Sequence, residues 1–249
     1  MNKTTFRLKS WLSELIAPAE HRCLICDKEV FDGLGFCADC KNSVVYNNGK
    51  TCKRCGVGID GDEDYCGNCA FDKVYFDAAY STLSYEGAVR DAILRFKFGG
   101  YGNFARIFAK YLVFMAQKQG LEYDLVTCAP MTKKAKRARG YNQAQLLAEH
   151  FCAILNSEAK FVVAIDKIKE TQAQEKLHRA ERKTNLIGAY RCVANVEGKR
   201  VLVIDDIKTT GATLNECAKV LKKAGAASVI CLTVAARREK FDFEVDNEG

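Results

Sequence analysis

The chain has 249 residues, is 48% hydrophobic and carries a net charge of +7. No apolar run approaches the roughly 20 residues that span a bilayer, so no transmembrane helix is expected, and the length suits one large domain or a mid-sized domain with a small appendage. The positive balance favours anionic partners, phosphates or nucleic acid, without choosing between them.

Residues 1–20 predict a short N-terminal helix, with Phe6, Trp11, Leu12, Leu15 and Ile16 along one side and Pro18 disfavouring its continuation. That stripe is expected to pack on the rest of the protein; a partner-binding or membrane-surface helix is the other reading. Lys9, Ser10, Ser13 and Glu14 interrupt its apolar residues, so it does not read as a signal peptide and a cytoplasmic location is expected. In that reducing compartment thirteen cysteines favour metal ligation over disulfides.

An internal repeat follows. Cys23-x2-Cys26 and Cys37-x2-Cys40 recur 29 positions later as Cys52-x2-Cys55 and Cys66-x2-Cys69. Two such knuckles supply the four thiolates that a tetrahedral zinc ion prefers, and the closed set implies a structural role. Residues 21–72 therefore predict a double zinc ribbon; iron–sulfur ligation or a redox pair fits the duplication poorly. Pairing within each 29-residue unit is simplest, and spacing leaves a cross-braced pairing open. A segment this short has too little core to fold unaided, and metal binding of about 10–16 kcal/mol per structural site supplies the missing stability.

Residues 73–236 predict the main domain. A β-rich, aromatic stretch over 71–83 leads to a helix over 87–98, with Val89, Ile93, Leu94 and Phe96 apolar and Arg90, Arg95 and Lys97 expected to be exposed. A second helix over 103–119 turns Phe104, Ile107, Phe108, Tyr111, Leu112 and Met115 to the core. Residues 124–128 predict a strand, followed by the basic run Lys133, Lys134, Lys136, Arg137 and Arg139. Five cations in seven residues beside a sheet edge suit pyrophosphate or another polyanion, against a plain solubilising loop. Gly140-Tyr141-Asn142-Gln143 then opens a helix to about residue 155. A third strand is expected over 161–168, a polar lid or solvated loop over 169–185, and strand again over 188–193.

The chain's chemistry converges on residues 201–213, VLVIDDIKTTGAT. Val201 to Ile204 form the apolar run of a central parallel strand, ending on Asp205 and Asp206. Thr209, Thr210, Gly211, Ala212 and Thr213 make a small-residue turn, and an amphipathic helix follows with Leu214, Cys217, Ala218, Leu221 and Ala224 on one side. Strand, turn and helix N-terminus together form an anion site. The acids repel a phosphate, but they suit the hydroxyls of a sugar attached to it, or a magnesium ion's waters. A last strand over 228–235 and a charged tail over 237–249 complete the chain.

This motif resembles the signature of the type I phosphoribosyltransferases. Together with Gly140-Tyr141-Asn142-Gln143, the cysteine repeat, and Thr171, Gln174, Leu177, Arg182, Asn185, Gly188, Ala189 and Tyr190, it is similar to the ComF (ComFC/GntX-like) family of competence proteins. The resemblance implies an α/β phosphoribosyltransferase fold with a parallel sheet of about five strands, helices on both faces and a small hood. It implies phosphoribosyl pyrophosphate as ligand with magnesium, and a phosphoribosyltransferase activity toward an unassigned acceptor, linked to competence and DNA uptake. The alternative is a non-catalytic accessory protein that binds single-stranded DNA, and other competence proteins are further candidate partners. Asp205 and Asp206 are expected to fix the ribose, residues 209–213 the 5′-phosphate, Arg137 and Arg139 with magnesium the pyrophosphate, and Arg182 to be the lid cation. At the place of the pyrophosphate loop, Cys128-Ala129-Pro130-Met131-Thr132 departs from the family's PVPLH-like segment.

Overall fold

The computed structural model describes residues 21–59, 61–156, 159–170 and 186–238. The expected N-terminal helix, positions 171–185 with Arg182, and the tail beyond residue 238 lie outside them.

The 29-residue repeat folds the same way twice. Antiparallel bridges join Arg22 to Glu29 and, one repeat on, Thr51 to Gly58. Each is followed by a short helix, α1 (Ala38–Lys41) and α2 (Gly67–Phe71), that contains Cys40 or Cys69 and has Cys37 or Cys66 at its N-cap.

The main domain runs β1 (Ala78–Ser84), α3 (Gly87–Phe98), α4 (Phe104–Lys118), β2 (Leu125–Cys128), α5 (Lys133–Arg139), α6 (Gln143–Leu155), β3 (Ile165–Lys167), β4 (Tyr190–Cys192), β5 (Arg200–Lys208), α7 (Ala212–Lys223) and β6 (Ser228–Ala236). Its sheet has the order β1-β6-β5-β2, with every pair parallel. Central β5 is buried on both sides, which is why its sequence is a continuous apolar run rather than an alternation. Leu202 and Ile204 pack with Phe96, Phe108, Leu147 and Phe151 of α3, α4 and α6. Val201 and Val203 pack with Leu214, Cys217, Ala218 and Leu221 of α7 on the other face. Among the described residues, no helix is long and apolar enough to cross a membrane.

Two expectations are corrected. Residues 161–168 are not one strand: Phe161 makes a single parallel bridge to Val126, and Ile165–Lys167 instead pairs antiparallel with Tyr190–Cys192. The main-chain ladder breaks where Ala164 N donates to the Thr127 hydroxyl at 3.1 Å, freeing the chain to rise into the two-stranded hood. The parallel sheet thus has four strands and one bridge among the described residues, against about five expected.

Lys97 and Arg95 are not exposed as helical periodicity suggests. Lys97 is buried, and Arg95 lies under the first ribbon, donating to Leu24 O at 2.9 Å, Ile25 O at 2.8 Å and both Asp27 carboxylate oxygens at 2.7 Å. A pattern of apolar residues reveals one buried face; α3 has a second neighbour that covers part of the polar one.

From β2 the chain moves outward to Phe161, whereas from β5 it moves the other way to β6. The β2–β5 boundary is therefore the topological switch point, where a crevice opens beyond the carboxyl ends of the strands. Since β2 ends level with Ile204, Asp205 and Asp206 stand just past it, at that crevice.

Candidate functional site

The cysteines settle into two sets, Cys23, Cys26, Cys37 and Cys40, and Cys52, Cys55, Cys66 and Cys69, each with its sulfurs within 4.8 Å of one another. Pairing is sequential, not cross-braced. The Cys26–Cys37 and Cys55–Cys66 sulfur separations are 3.6 and 3.5 Å. Four ligands at a Zn–S distance of about 2.3 Å stand about 3.8 Å apart, so both sets fit zinc. Because each such ion stabilises its peptide by about 10–16 kcal/mol, strong chelation is expected to unfold the ribbon segment. Elemental analysis before chelation should find two zinc ions per chain, and circular dichroism after it should show the loss of structure.

At the carboxyl edge, β5 continues through the two acids to Lys208 rather than ending on them. Successive side chains of a strand point to opposite faces. Asp205 therefore shares the face of Val201 and Val203 toward α7, and Asp206 that of Leu202 and Ile204 toward α3. On the α3 side, Lys97 Nζ lies 3.1 Å from Asp206 Oδ2, with the two side chains 9% and 10% exposed. Burial works against the Lys97 ammonium, but the charges of Asp206 and Asp205 outweigh it and hold its pKa above the ordinary value. The second Asp206 oxygen accepts from Ile207 N at 2.7 Å. Both oxygens of Asp206 are thus engaged.

Asp205 differs. One oxygen accepts from Asp206 N at 2.8 Å, and none of the described residues bonds the other. Burial, then the neighbouring Asp206 charge, push the Asp205 carboxyl up to about 7, with Lys97 pulling it back in part.

The turn beyond β5 is set by Gly211, at φ +79°, a left-handed conformation that glycine adopts without strain. The turn delivers Ala212 as the first residue of α7, so the positive end of that helix stands at the carboxyl edge of the sheet. Thr210 Oγ1 accepts from Ala212 N at 3.4 Å. Thr209 is partly exposed.

The basic run is a helix rather than a loop. Thr132 caps α5 by accepting from Ala135 N at 3.2 Å, and none of its residues is buried. Arg137 is exposed; Arg139 is partly covered, its guanidinium 4.7 Å from the centre of the Phe98 ring. The next element buttresses the site. Tyr141 OH donates to Phe96 O, Gln143 Nε2 donates to Lys97 O at 3.2 Å, and Asn142 Nδ2 donates to Ala129 O at 3.1 Å. These bonds fix the backbone of α3 at Lys97 and the segment after β2. Lys97 is the site residue that sequence reasoning missed. Its signal was a lone lysine within RFKF, the last turn of an otherwise apolar helix face.

Residues 138–246 match the phosphoribosyl transferase domain, and residues 12–70 the double zinc ribbon domain. With the parallel sheet and its switch-point crevice, these matches define a phosphoribosyltransferase-fold protein with an N-terminal double zinc ribbon.

Competence protein F of Haemophilus influenzae is 27% identical over 203 residues, which cover 78% of this chain and 87% of that protein. DNA utilization protein YhgH of Escherichia coli is 26% identical over 201 residues, again 78% and 87%. Competence protein ComFC of Streptococcus pneumoniae is 31% identical over 147 residues, 59% of this chain and 63% of that one. The chain is a homologue of these competence and DNA utilization proteins, in agreement with the family resemblance of its motifs. Among solved structures, a hypoxanthine-guanine-xanthine phosphoribosyltransferase is 16% identical, covering 53% of this chain and 62% of that chain, with a TM-score of 0.32.

Proposed function

We propose that the chain binds phosphoribosyl pyrophosphate with magnesium at the carboxyl ends of β2 and β5, and transfers the phosphoribosyl group to an acceptor. The observation that carries this reading is the juxtaposition, at the switch point, of a carboxylate with an oxygen that none of the described residues bonds (Asp205) and a glycine turn opening a twelve-residue helix. Asp205 accepts from the ribose hydroxyls, and the backbone of Thr209, Thr210, Gly211, Ala212 and Thr213 binds the 5′-phosphate. Asp206, held by Lys97, fixes the end of β5 from behind. Arg137 and Arg139 of α5 lie in the segment after β2 and attract the pyrophosphate; Arg182 completes the site as the lid cation.

In the transfer, the anomeric carbon–oxygen bond breaks with its electron pair leaving on pyrophosphate, and the acceptor's nucleophile forms the new bond. Magnesium, when bound with the pyrophosphate, neutralises the leaving group. The same reading places the protein in the cytoplasm, where thiolate ligands stay reduced.

Calorimetric titration of the zinc-loaded protein with phosphoribosyl pyrophosphate and magnesium is expected to show saturable one-to-one binding. Pyrophosphate release across a panel of bases, amines and single-stranded DNA then identifies the acceptor. Absence of binding overturns the reading; binding without release from any acceptor removes the transferase part.

The solvent-facing cations of α5 favour a second use, as a contact for single-stranded DNA, in keeping with relatives named for competence and DNA utilization. Such binding is expected to weaken steeply with salt and to fall when Lys133, Lys134, Lys136 and Arg137 are neutralised. Salt-independent or absent DNA binding removes it.

A further inference from the structure

The two ribbons are not equivalent. In the first set Cys26 is exposed and Cys40 partly so, and its ribbon rests on α3 and α4 through Arg95, Lys110 and Tyr111. The second set is entirely buried. It abuts the turn that ends β5.

Lys208, the last residue of β5, is 4% exposed and donates from Nζ to Cys55 Sγ at 3.1 Å. Its stem underlies the turn: a Cβ placed on Gly211 would stand 3.3 Å from Lys208 Cε. Cys55 and Cys69 share the walls of a cavity of about 270 Å³ with Thr210, Gly211 and Ala212. Asn215 in the first turn of α7 closes the same seam, accepting from Tyr75 N at 2.7 Å and donating to Lys73 O at 3.0 Å. A buried ammonium requires a partner that offsets its lost hydration. For Lys208 that partner is a sulfur of the four-thiolate set, which keeps net negative charge around a divalent ion. Removal of the metal would let that sulfur move, and the lysine with it.

We propose that Lys208 is a positioning residue that locks the 209–213 turn to the second four-cysteine site, so that metal at this site, and not at the first, sets the order of the turn and its anion affinity. The identity of the anion rests on the phosphoribosyl pyrophosphate reading; the coupling belongs to the unliganded protein and is tested without any ligand. If the turn and the second site are coupled, an anion at the turn must tighten the metal by the same factor as the metal tightens the anion.

Hydrogen exchange of peptides covering 209–214 tests the lock in the full zinc-loaded chain. Lys208→Met is expected to raise exchange there roughly tenfold, the loss of one charge-assisted hydrogen bond, while both zinc ions remain bound. Lys208→Arg should recover most of the protection, and Cys26→Ser, which damages only the first site, should leave it at the wild-type level. Unchanged exchange in Lys208→Met, or an equal rise in Cys26→Ser, overturns the proposal. Should Lys208→Met fail to fold, selective loss of the second zinc from wild type replaces it, and unchanged exchange of 209–214 then overturns the proposal.

Zinc release to a chelator, with and without phosphoribosyl pyrophosphate and magnesium, supplies the ligand arm. The ligand should slow release of one of the two ions in wild type and have no such effect in Lys208→Met. Saturable ligand binding with no slowing overturns the coupling alone. Failure of the ligand to bind overturns the proposed function, and hydrogen exchange still decides the coupling.

Discussion

Lys97→Met and Asp206→Asn are each expected to lower the unfolding free energy by about 3–5 kcal/mol, the cost of leaving one member of a buried ion pair without its counter-charge. Both side chains are nine-tenths buried, and the pair bridges α3 to β5 across the face on which α4 and α6 also pack. The double variant Lys97→Met/Asp206→Leu should regain most of the loss, because neither charge remains to be stranded. Denaturant unfolding of the three zinc-loaded variants measures this. Losses that simply add in the double variant would show that the two groups do not interact.

Asp205→Asn is expected to do the opposite to stability while weakening ligand binding by at least about 100-fold. Its carboxyl is held at about 7 in the folded protein, well above its unfolded value, so the folded state binds the extra proton between those limits. Stability conferred by Asp205 is therefore full at low pH and declines as pH rises from the unfolded carboxylate range through about 7. Asparagine removes that cost. Thermal unfolding should show no difference near pH 4 and a gain for Asp205→Asn on the order of 2 kcal/mol at pH 8, moderated by the partial exposure of Asp205. A variant no more stable than wild type at pH 8 would contradict the assignment of Asp205 as a strained, ligand-facing group. Phosphoribosyl pyrophosphate affinity in wild type should itself fall as pH drops through 7, as the accepting carboxylate is protonated.

The elements with strong local signals were legible in the sequence. The 87–98 helix, the 201–204 run and the cysteine repeat follow from periodicity, apolar continuity and spacing, and the structure has them where those signals lie. What was not legible depends on contacts distant in the chain. Asp205 and Asp206 look like a matched pair until the strand is seen to continue through them, which sends one to each face. Lys97 looks exposed until Asp206, more than a hundred residues on, appears beside it. The split of 161–168 depends on the Thr127 hydroxyl intercepting a backbone donor. Lys208 reads as one more cation in a polar loop, and only the fold brings Cys55 to it. Sequential metal pairing was the simpler of two options that spacing could not separate, and the sulfur positions decide it.

The division between the two acids is most directly tested by titrating phosphoribosyl pyrophosphate and magnesium at pH 8 into wild type, Asp205→Asn and Lys97→Met/Asp206→Leu, each zinc-loaded and folded. Saturable binding is expected in wild type, a loss of at least about 100-fold in Asp205→Asn, and retention within about tenfold in the double variant, since the proposed site assigns the charge-assisted bonds to the ribose to Asp205 alone. Retained binding in Asp205→Asn together with its loss in the double variant would contradict this arrangement.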